Sequence, residues 1–355
     1  MDYSKYYTPL SIAQLLIKQL DIDTPEKIVD ICCGSCNLLN AAKQRWRKAM
    51  LFGADIANHE VSDVAFENID GREYALNHQK EFSLVLANPP FDYLEKKNEF
   101  PQLFQTPFDV YNTSRLEIEM LIANLLMLKD GGTLLIIMPS SFVEAERYSE
   151  IRKIISSNYY IESIIKLDEK TFGSSKINSY ALIIHNDSQN KRVSKIGFSS
   201  NDTTNCIYYT SQLTSEEIKT GNWIKRTVWN QEKSIDIKRG NISSSCFIKR
   251  GQPILHTAKC REIWKPSKRY ISKKITPTIF AEHGDIIVSR IGKSAGQWCV
   301  YEGEKIAISD CLYRIKDPNG SLLSKINGKT FDGTLKGVAT RYITINDFFH
   351  WVNSV

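Results

Sequence analysis

The sequence predicts an α/β protein with a doubly wound, mostly parallel sheet, followed by a second, smaller α+β domain. Three observations carry this. Short apolar runs alternate with stretches of helical periodicity through the first half of the chain. Two of the runs end on an acid, Asp30 and Asp55, which is where open α/β sheets hold ligands. Past about residue 205 the helical signal fades, and short β-type runs separated by Gly, Pro and Asn take over.

The elements follow in order. Ile12, Leu15, Leu16, Ile17 and Leu20 give a helix over 11–20, and 27–31 is a first strand. A helix is expected over 38–48, a strand over 50–56 and a strand over 82–87. The long apolar stretch 116–128 is a helix stopped by Asp130-Gly131-Gly132, and 133–138 is a strand broken by Pro139. Strands over 161–166 and 180–185 complete the first domain, residues 1–190. Residues 191–234 read as a connecting segment, since 186–205 is rich in Asn, Asp, Ser, Gln and Lys. Later runs at 206–209, 285–290, 297–301, 305–308 and 312–315 read as strands, most of them in a second domain over 235–355.

Composition bounds the class. A chain of 355 residues with 42% hydrophobic and 24% charged residues can bury more than one ordinary core. The opening Met1-Asp2-Tyr3-Ser4-Lys5 has no signal-peptide pattern, and Lys129, Asp130 and two glycines interrupt the most apolar stretch. A cytoplasmic protein with no membrane partner is expected. The eight cysteines have no framework spacing, so free thiols are expected. Cys33-x-x-Cys36 lacks a second ligand pair, so no metal is expected there. Charge is uneven: residues 1–190 carry 19 Lys+Arg against 26 Asp+Glu, a formal −7, and residues 191–355 carry 27 against 14, a formal +13. A basic second half points to a polyanionic partner.

The sharpest local feature is Asn88-Pro89-Pro90-Phe91, directly after the apolar run Leu84-Val85-Leu86-Ala87. The prolines stop the strand and hold the next backbone rigidly. The Asn88 side-chain carbonyl and the Pro89 carbonyl can both accept from an exocyclic amine, while the Phe91 ring stacks on its heterocycle. By itself the tetrapeptide is also an ordinary strand-ending turn. Upstream, Asp30-Ile31-Cys32-Cys33-Gly34-Ser35-Cys36-Asn37 links a strand to a helix without the dinucleotide glycine triplet. Gly34 permits close backbone approach, Asp30 can meet a positive group, Asp55 a ribose diol and Asp70 an adenine amine. Together they suggest an adenosine ligand with a cationic tail.

In their order, these pieces resemble the N6-adenine DNA methyltransferases of restriction–modification type, in which cofactor motifs precede the catalytic motif. Tyr7-Thr8-Pro9 is similar to the N-terminal motif that covers S-adenosylmethionine. Asp30 to Asn37 is similar to the cofactor loop, Asp55 to the ribose-binding acid and Asp70 to the adenine-contacting acid. Asn88, Pro89, Pro90 and Phe91 match the catalytic motif, and Gly131-Gly132 and Pro139-Ser140-Ser141 also fit. The resemblance covers roughly residues 1–185. It implies an S-adenosylmethionine-dependent methyltransferase fold, with Tyr7, Thr8, Pro9, Asp30, Cys32, Gly34, Asp55, Asp70 and Asn88 at the cofactor. It also implies methyl transfer to N6 of a flipped-out adenine. Two positions depart from the pattern: Ile31 replaces a usual Pro, and Cys36 a usual second Gly, so Cys36 is expected to crowd the cofactor or take an unusual backbone angle.

The second half resembles one target-recognition domain of type I specificity subunits. The match rests on Gly284 to Gly292, Gly296, Ile308-Ser309-Asp310, Leu312 to Ile315 and Gly337 to Thr344. It implies double-stranded DNA as partner, with a restriction nuclease subunit as a further one. Lys259, Arg261, Lys265, Lys268, Arg269, Arg290 and Lys293 are the candidate DNA-binding residues, with Trp264 and Tyr270 among them. Arg290 and Lys293 flank a glycine turn and can instead brace the domain. Two readings stand beside this one: a DNA-binding specificity protein with an inactive methyltransferase half, and a methyltransferase acting on RNA or on protein glutamine.

Overall fold

The computed structural model describes residues 7–59, 62–97, 99–109, 111–168, 171, 178–187, 193–200, 206–224, 235–258, 264–333, 335 and 340–354. The chain forms two compact units, Met1–Lys225 and Arg226–Val355.

In the first unit the strands are β1 Lys27–Asp30, β2 Met50–Asp55, β3 Ala65–Asn68, β4 Phe82–Ala87, β5 Leu128–Pro139, β6 Tyr160–Lys166, β7 Ser179–His185, β8 Ser194–Ser199 and β9 Ile207–Leu213. They form one nine-stranded sheet in the order β3-β2-β1-β4-β5-β7-β6-β8-β9. The strands from β3 to β5 run parallel, and β7 inserts antiparallel between β5 and β6. Helices α1 Leu10–Lys18, α2 Asn37–Arg45, α3 Gly71–Asn77, α4 Leu116–Leu126, α5 Ser140–Glu144, α6 Ser149–Asn158 and α7 Ser215–Lys219 alternate with the strands. Two apolar clusters form the core. One gathers Val29, Phe82, Val85, Ile122 and Ile136; the other gathers Leu16, Ile28, Leu39, Leu84 and Leu135. Val85 and Leu84 fall in different clusters because alternate residues of a strand face opposite ways, so β4 is covered on both sides. This is a doubly wound α/β fold.

The chain leaves β1 toward β2 and β3 on one side, and β4 lies on the other. The β1–β4 boundary is therefore the topological switch point, where such sheets open a crevice at the strands' carboxyl ends.

Two expectations are corrected. The segment 191–234 is not simply a connector: β8 pairs with β6, and β9 with β8, so both extend the first sheet. The 206–209 run accordingly belongs to the first unit. Its polarity misleads because β9 is an edge strand with Tyr208 and Tyr209 exposed. The structure also runs β5 through Gly131-Gly132, since Gly131 donates to the Asn186 carbonyl and Asn186 to that of Gly132.

The second unit holds β10 Asp236–Arg239, β11 Phe247–Ile248, β12 Gln252–His256, β13 Ser267–Ile271, β14 Phe280–Ala281, β15 Ile286–Ser289, β16 Trp298–Val300, β17 Ile306–Ile308 and β18 Leu312–Lys316. They make a four-stranded sheet, β10-β18-β15-β16, and a five-stranded sheet, β11-β13-β12-β17-β14. Helices α8 Ser321–Ile326 and α9 Ile345–Ser354 complete it, with Phe348, Trp351 and Val352 packing on Ile286, Val288 and Ile315. Among the described residues, no helix is long and apolar enough to cross a membrane.

Candidate active site

The β1–α2 loop begins at Asp30, which is 2% exposed. Its Oδ1 accepts the Cys32 N–H at 3.0 Å, which turns the chain sharply off the strand. Asp55, at the end of β2, accepts the Gly34 N–H at 2.8 Å through Oδ2 and the Ala57 N–H at 2.9 Å through Oδ1. The ends of two neighbouring strands are thus tied across the loop.

The third acid arrives by a different route. Asp70 caps α3, accepting the Arg72 N–H at 2.8 Å. The next residue, Gly71, packs directly on the loop: a Cβ there would lie 2.2 Å from the Ile31 carbonyl oxygen. All three acids lie near the Cys32 thiol. Burial first, then the charges of Asp30, Asp55 and Asp70, push the Cys32 thiol well above its ordinary range. Burial, opposed by the Cys32 N–H and reinforced by Asp55, raises the Asp30 carboxyl to about 7.

Tyr7, Thr8 and Pro9 close over the same loop. Asn37 donates to the Thr8 carbonyl at 2.9 Å, and Pro9 starts α1 by accepting from Ile12 and Ala13. Gly34 has φ +47°, and a Cβ on it would fall 2.3 Å from Tyr7 Cε1. Its glycine is needed at least as much for the Tyr7 ring as for a ligand. Cys36 takes the unusual angle, φ 56°, at a cost of about 1–2 kcal/mol for an L residue. Its side chain is buried in the apolar cluster with Leu38 and Leu39, so it does not crowd the crevice.

On the other side of the switch point, β4 pairs with β1 through Ile28–Leu84 and Val29–Val85. Asn88 to Phe91 therefore leave the sheet at the same edge as the acid loop, one strand over. Asn88 is half-buried, Pro89 is buried, and Phe91 packs partly buried against the core.

Sequence reasoning missed three features here. Ile56 follows Asp55 and is 55% exposed, an apolar side chain beside that acid. Gly71 makes the close approach just described. Arg72 grips Asp70 through Nε at 3.1 Å and Nη2 at 2.8 Å, and is itself held by Glu119 at 2.8 Å and Glu99 at 3.2 Å. Glu119 is 1% exposed, so this pairing fixes Arg72 and with it the orientation of Asp70. The exposed apolar residue after a strand-ending acid was a readable signal; Arg72's distant partners were not.

In the second unit, Lys265, Lys268, Arg269 and Lys293 are exposed, and Tyr270 lies on β13 with Lys268 and Arg269. Arg290 is half-buried and donates from Nε to the Asp310 carbonyl at 2.9 Å, the bracing alternative. Trp264 is a core residue, not part of the basic surface. Lys259 and Arg261 lie outside the described residues.

A family model for N-6 DNA methylases matches residues 2–244. The chain belongs to the N-6 DNA methylase family. A Methanocaldococcus jannaschii protein named for a type II restriction enzyme and methyltransferase is 27% identical over 110 residues, 30% of this chain and 9% of that protein. The type I restriction–modification methyltransferase subunit from Streptococcus thermophilus is similar over 61% of this chain and 52% of its own, at 19% identity and a TM-score of 0.47. The type IIG restriction endonuclease BpuSI is similar over 87% of this chain and 52% of its own, at 14% identity and a TM-score of 0.49. The chain thus spans under a tenth of the curated relative and about half of each of these solved chains.

Proposed function

We propose that this family member is a site-specific DNA methyltransferase that moves a methyl group from S-adenosylmethionine to N6 of a flipped-out adenine. The carrying observation is the Asn88-Pro89-Pro90-Phe91 edge of β4 beside the three-acid loop at the switch point.

The residues fit the cofactor. The buried Asp30 carboxyl, raised to about 7, has no cationic partner among the described residues, and an ammonium would supply one. Asp55 keeps acceptor capacity for a ribose diol, since each of its oxygens has more than one lone pair. Asp70 is held by Arg72 with its remaining acceptor capacity available to an adenine amine. Ile56 offers an apolar face, and Tyr7, Thr8 and Pro9 exclude water from above. S-adenosylmethionine, when bound, supplies an electrophilic methyl group on a sulfonium.

The chain's own work is on the amine. The adenine N6 lone pair is delocalised into the ring and is a poor nucleophile. Asn88 Oδ1 and the Pro89 carbonyl accept its two N–H groups, favour a tetrahedral nitrogen and turn the lone pair outward. Phe91 stacks on the base and fixes its plane, so positioning supplies much of the rate. A base in a duplex reaches such a pocket only by leaving the stack.

The Asp30 carboxyl gives a pH signature. Its raised value means the unliganded protein keeps this proton up to about pH 7, while a cationic ligand favours the carboxylate. Cofactor affinity is therefore expected to rise as pH increases from 5 to 7, with a proton released on binding. Calorimetry in buffers of different ionisation enthalpy measures both. Asp30→Asn should flatten the profile; an unchanged profile would remove Asp30 from the cofactor.

The second unit is the DNA reader in this proposal, and a restriction nuclease subunit a further partner, in the cytoplasm. Residues 1–225 hold 24 Lys+Arg against 29 Asp+Glu, a formal −5, and residues 226–355 hold 22 against 11, a formal +11. A fragment of residues 1–225 keeps the first sheet whole, because β8 and β9 belong to it. It should bind S-adenosylmethionine and lose specific DNA binding, whereas the full chain should bind DNA with a steep salt dependence. Salt titrations of both proteins decide it. Undiminished specific binding by the fragment would overturn the division of labour. Transfer of a labelled methyl group to DNA, but not to RNA or protein, by the full chain tests the reaction itself.

A further inference from the structure

Tyr93 lies two residues beyond Phe91 and is 66% exposed, the most exposed large apolar side chain among the described residues. Its position is not that of a loose loop residue. Tyr93 and Arg115 form an isolated antiparallel bridge; on either side of it Leu94 donates to the Ser114 carbonyl and Leu116 to the Asp92 carbonyl. The Asp92 carboxylate accepts the Tyr93 N–H at 2.7 Å. The Arg115 guanidinium sits 4.4 Å from the centroid of the Tyr93 ring. Arg115 is anchored in turn, donating from Nε at 2.8 Å to Glu117, which is fully buried on α4.

The arrangement is a flat aromatic surface, cationic on one side and open to solvent on the other, on a braced backbone at the lip of the catalytic tetrapeptide. The exposed ring face is available to a stacking partner. Fixing it there before binding lowers the ordering cost of a later stacking partner. Resting on the methyltransferase reading, we propose that the Tyr93–Arg115 pair is a base-stacking platform for a nucleobase flanking the target adenine. When the adenine leaves the duplex for Phe91, each neighbouring base loses a stacking face. Two extended residues span at most about 7 Å, so Tyr93 stays within reach of a base next to the one held at Phe91. Any base offers a π-face, so this contact adds affinity without reading sequence.

The test is a cycle that pairs protein and DNA changes, using the full chain and a duplex carrying the site that methylome sequencing of an expressing host reveals. Single-turnover methylation and DNA affinity are measured for wild type, Tyr93→Ala and Tyr93→Trp. The duplexes are intact, abasic at either nucleotide flanking the target, or abasic three nucleotides away. On the intact duplex Tyr93→Ala should lose about tenfold, the scale of one base–aromatic stack, and Tyr93→Trp should stay close to wild type. S-adenosylmethionine affinity and thermal midpoint should be unchanged in both. Against one flanking abasic duplex the wild type and Tyr93→Ala should become equal, while the distant abasic control keeps the tenfold gap. Tyr93→Ala within twofold of wild type on intact DNA, or the same gap on every duplex, would overturn the platform alone. No labelling of any DNA by the wild type would overturn the methyltransferase reading, and the platform with it.

Discussion

Asn88→Ala should lower single-turnover methyl transfer by roughly 10²–10³-fold or more, the scale for deleting one preorganised polar group at a reacting centre. Its dissociation constant for S-adenosylmethionine should stay within a few-fold of wild type, because Asn88 acts chiefly on the target amine. Asn88→Asp keeps an acceptor oxygen at the same place, so it should retain more activity than the alanine variant. Labelled methyl transfer and calorimetry on the three proteins are the measurements. Near-normal turnover by Asn88→Ala would remove the residue from the reaction.

Asp55→Ala should act on the other half of the site. It removes the carboxylate proposed for the ribose and also releases the Gly34 and Ala57 N–H groups, which it holds at 2.8 and 2.9 Å. Hydrogen bonds to a charged group contribute about 1.5–3 kcal/mol each, so S-adenosylmethionine affinity should fall by roughly 100-fold or more. Asp55→Asn keeps one acceptor oxygen and should fall between. A dissociation constant unchanged in the alanine variant would reject the assignment.

The parts of the site built on central strands were legible in the sequence. β1, β2 and β4 are largely buried, so they read as apolar runs; β1 and β2 end on an acid, and β4 runs into Asn88 and two prolines. The strand order, which only the structure supplies, places the switch point between β1 and β4 and puts Asp30, Asp55 and Asn88 at one edge. β3 was invisible because Ala65–Asn68 is a short, mostly exposed edge strand with no apolar pattern. α3 was missed for a related reason: Asp70-Gly71 reads as a turn, yet Asp70 caps a helix and Gly71 packs on Ile31.

Long-range charge pairing was beyond reach altogether. Arg72 is tied to Glu99 and Glu119, which lie 27 and 47 residues away, and no local spacing announces them. The linker expectation failed where polarity was taken for irregularity; β8 and β9 carry polar and aromatic residues because they lie toward the sheet's edge, where one more strand needs less apolar burial. Trp264 misled in the opposite sense, standing among basic residues in sequence while its ring packs inward. Of the two outcomes expected for Cys36, crowding or an unusual backbone angle, the structure shows the angle, with the side chain buried in the apolar cluster.

The central claim is that the full chain methylates adenine N6 at a defined DNA sequence, and strand-resolved methylation sequencing of a host expressing it tests this most directly. If the second unit is the single DNA reader proposed above, the motif should be asymmetric, with N6-methyladenine on one strand and absent from a host expressing Asn88→Ala. Methylation on both strands of a palindrome would contradict the single-reader arrangement. No N6-methyladenine above the alanine control would contradict the central claim.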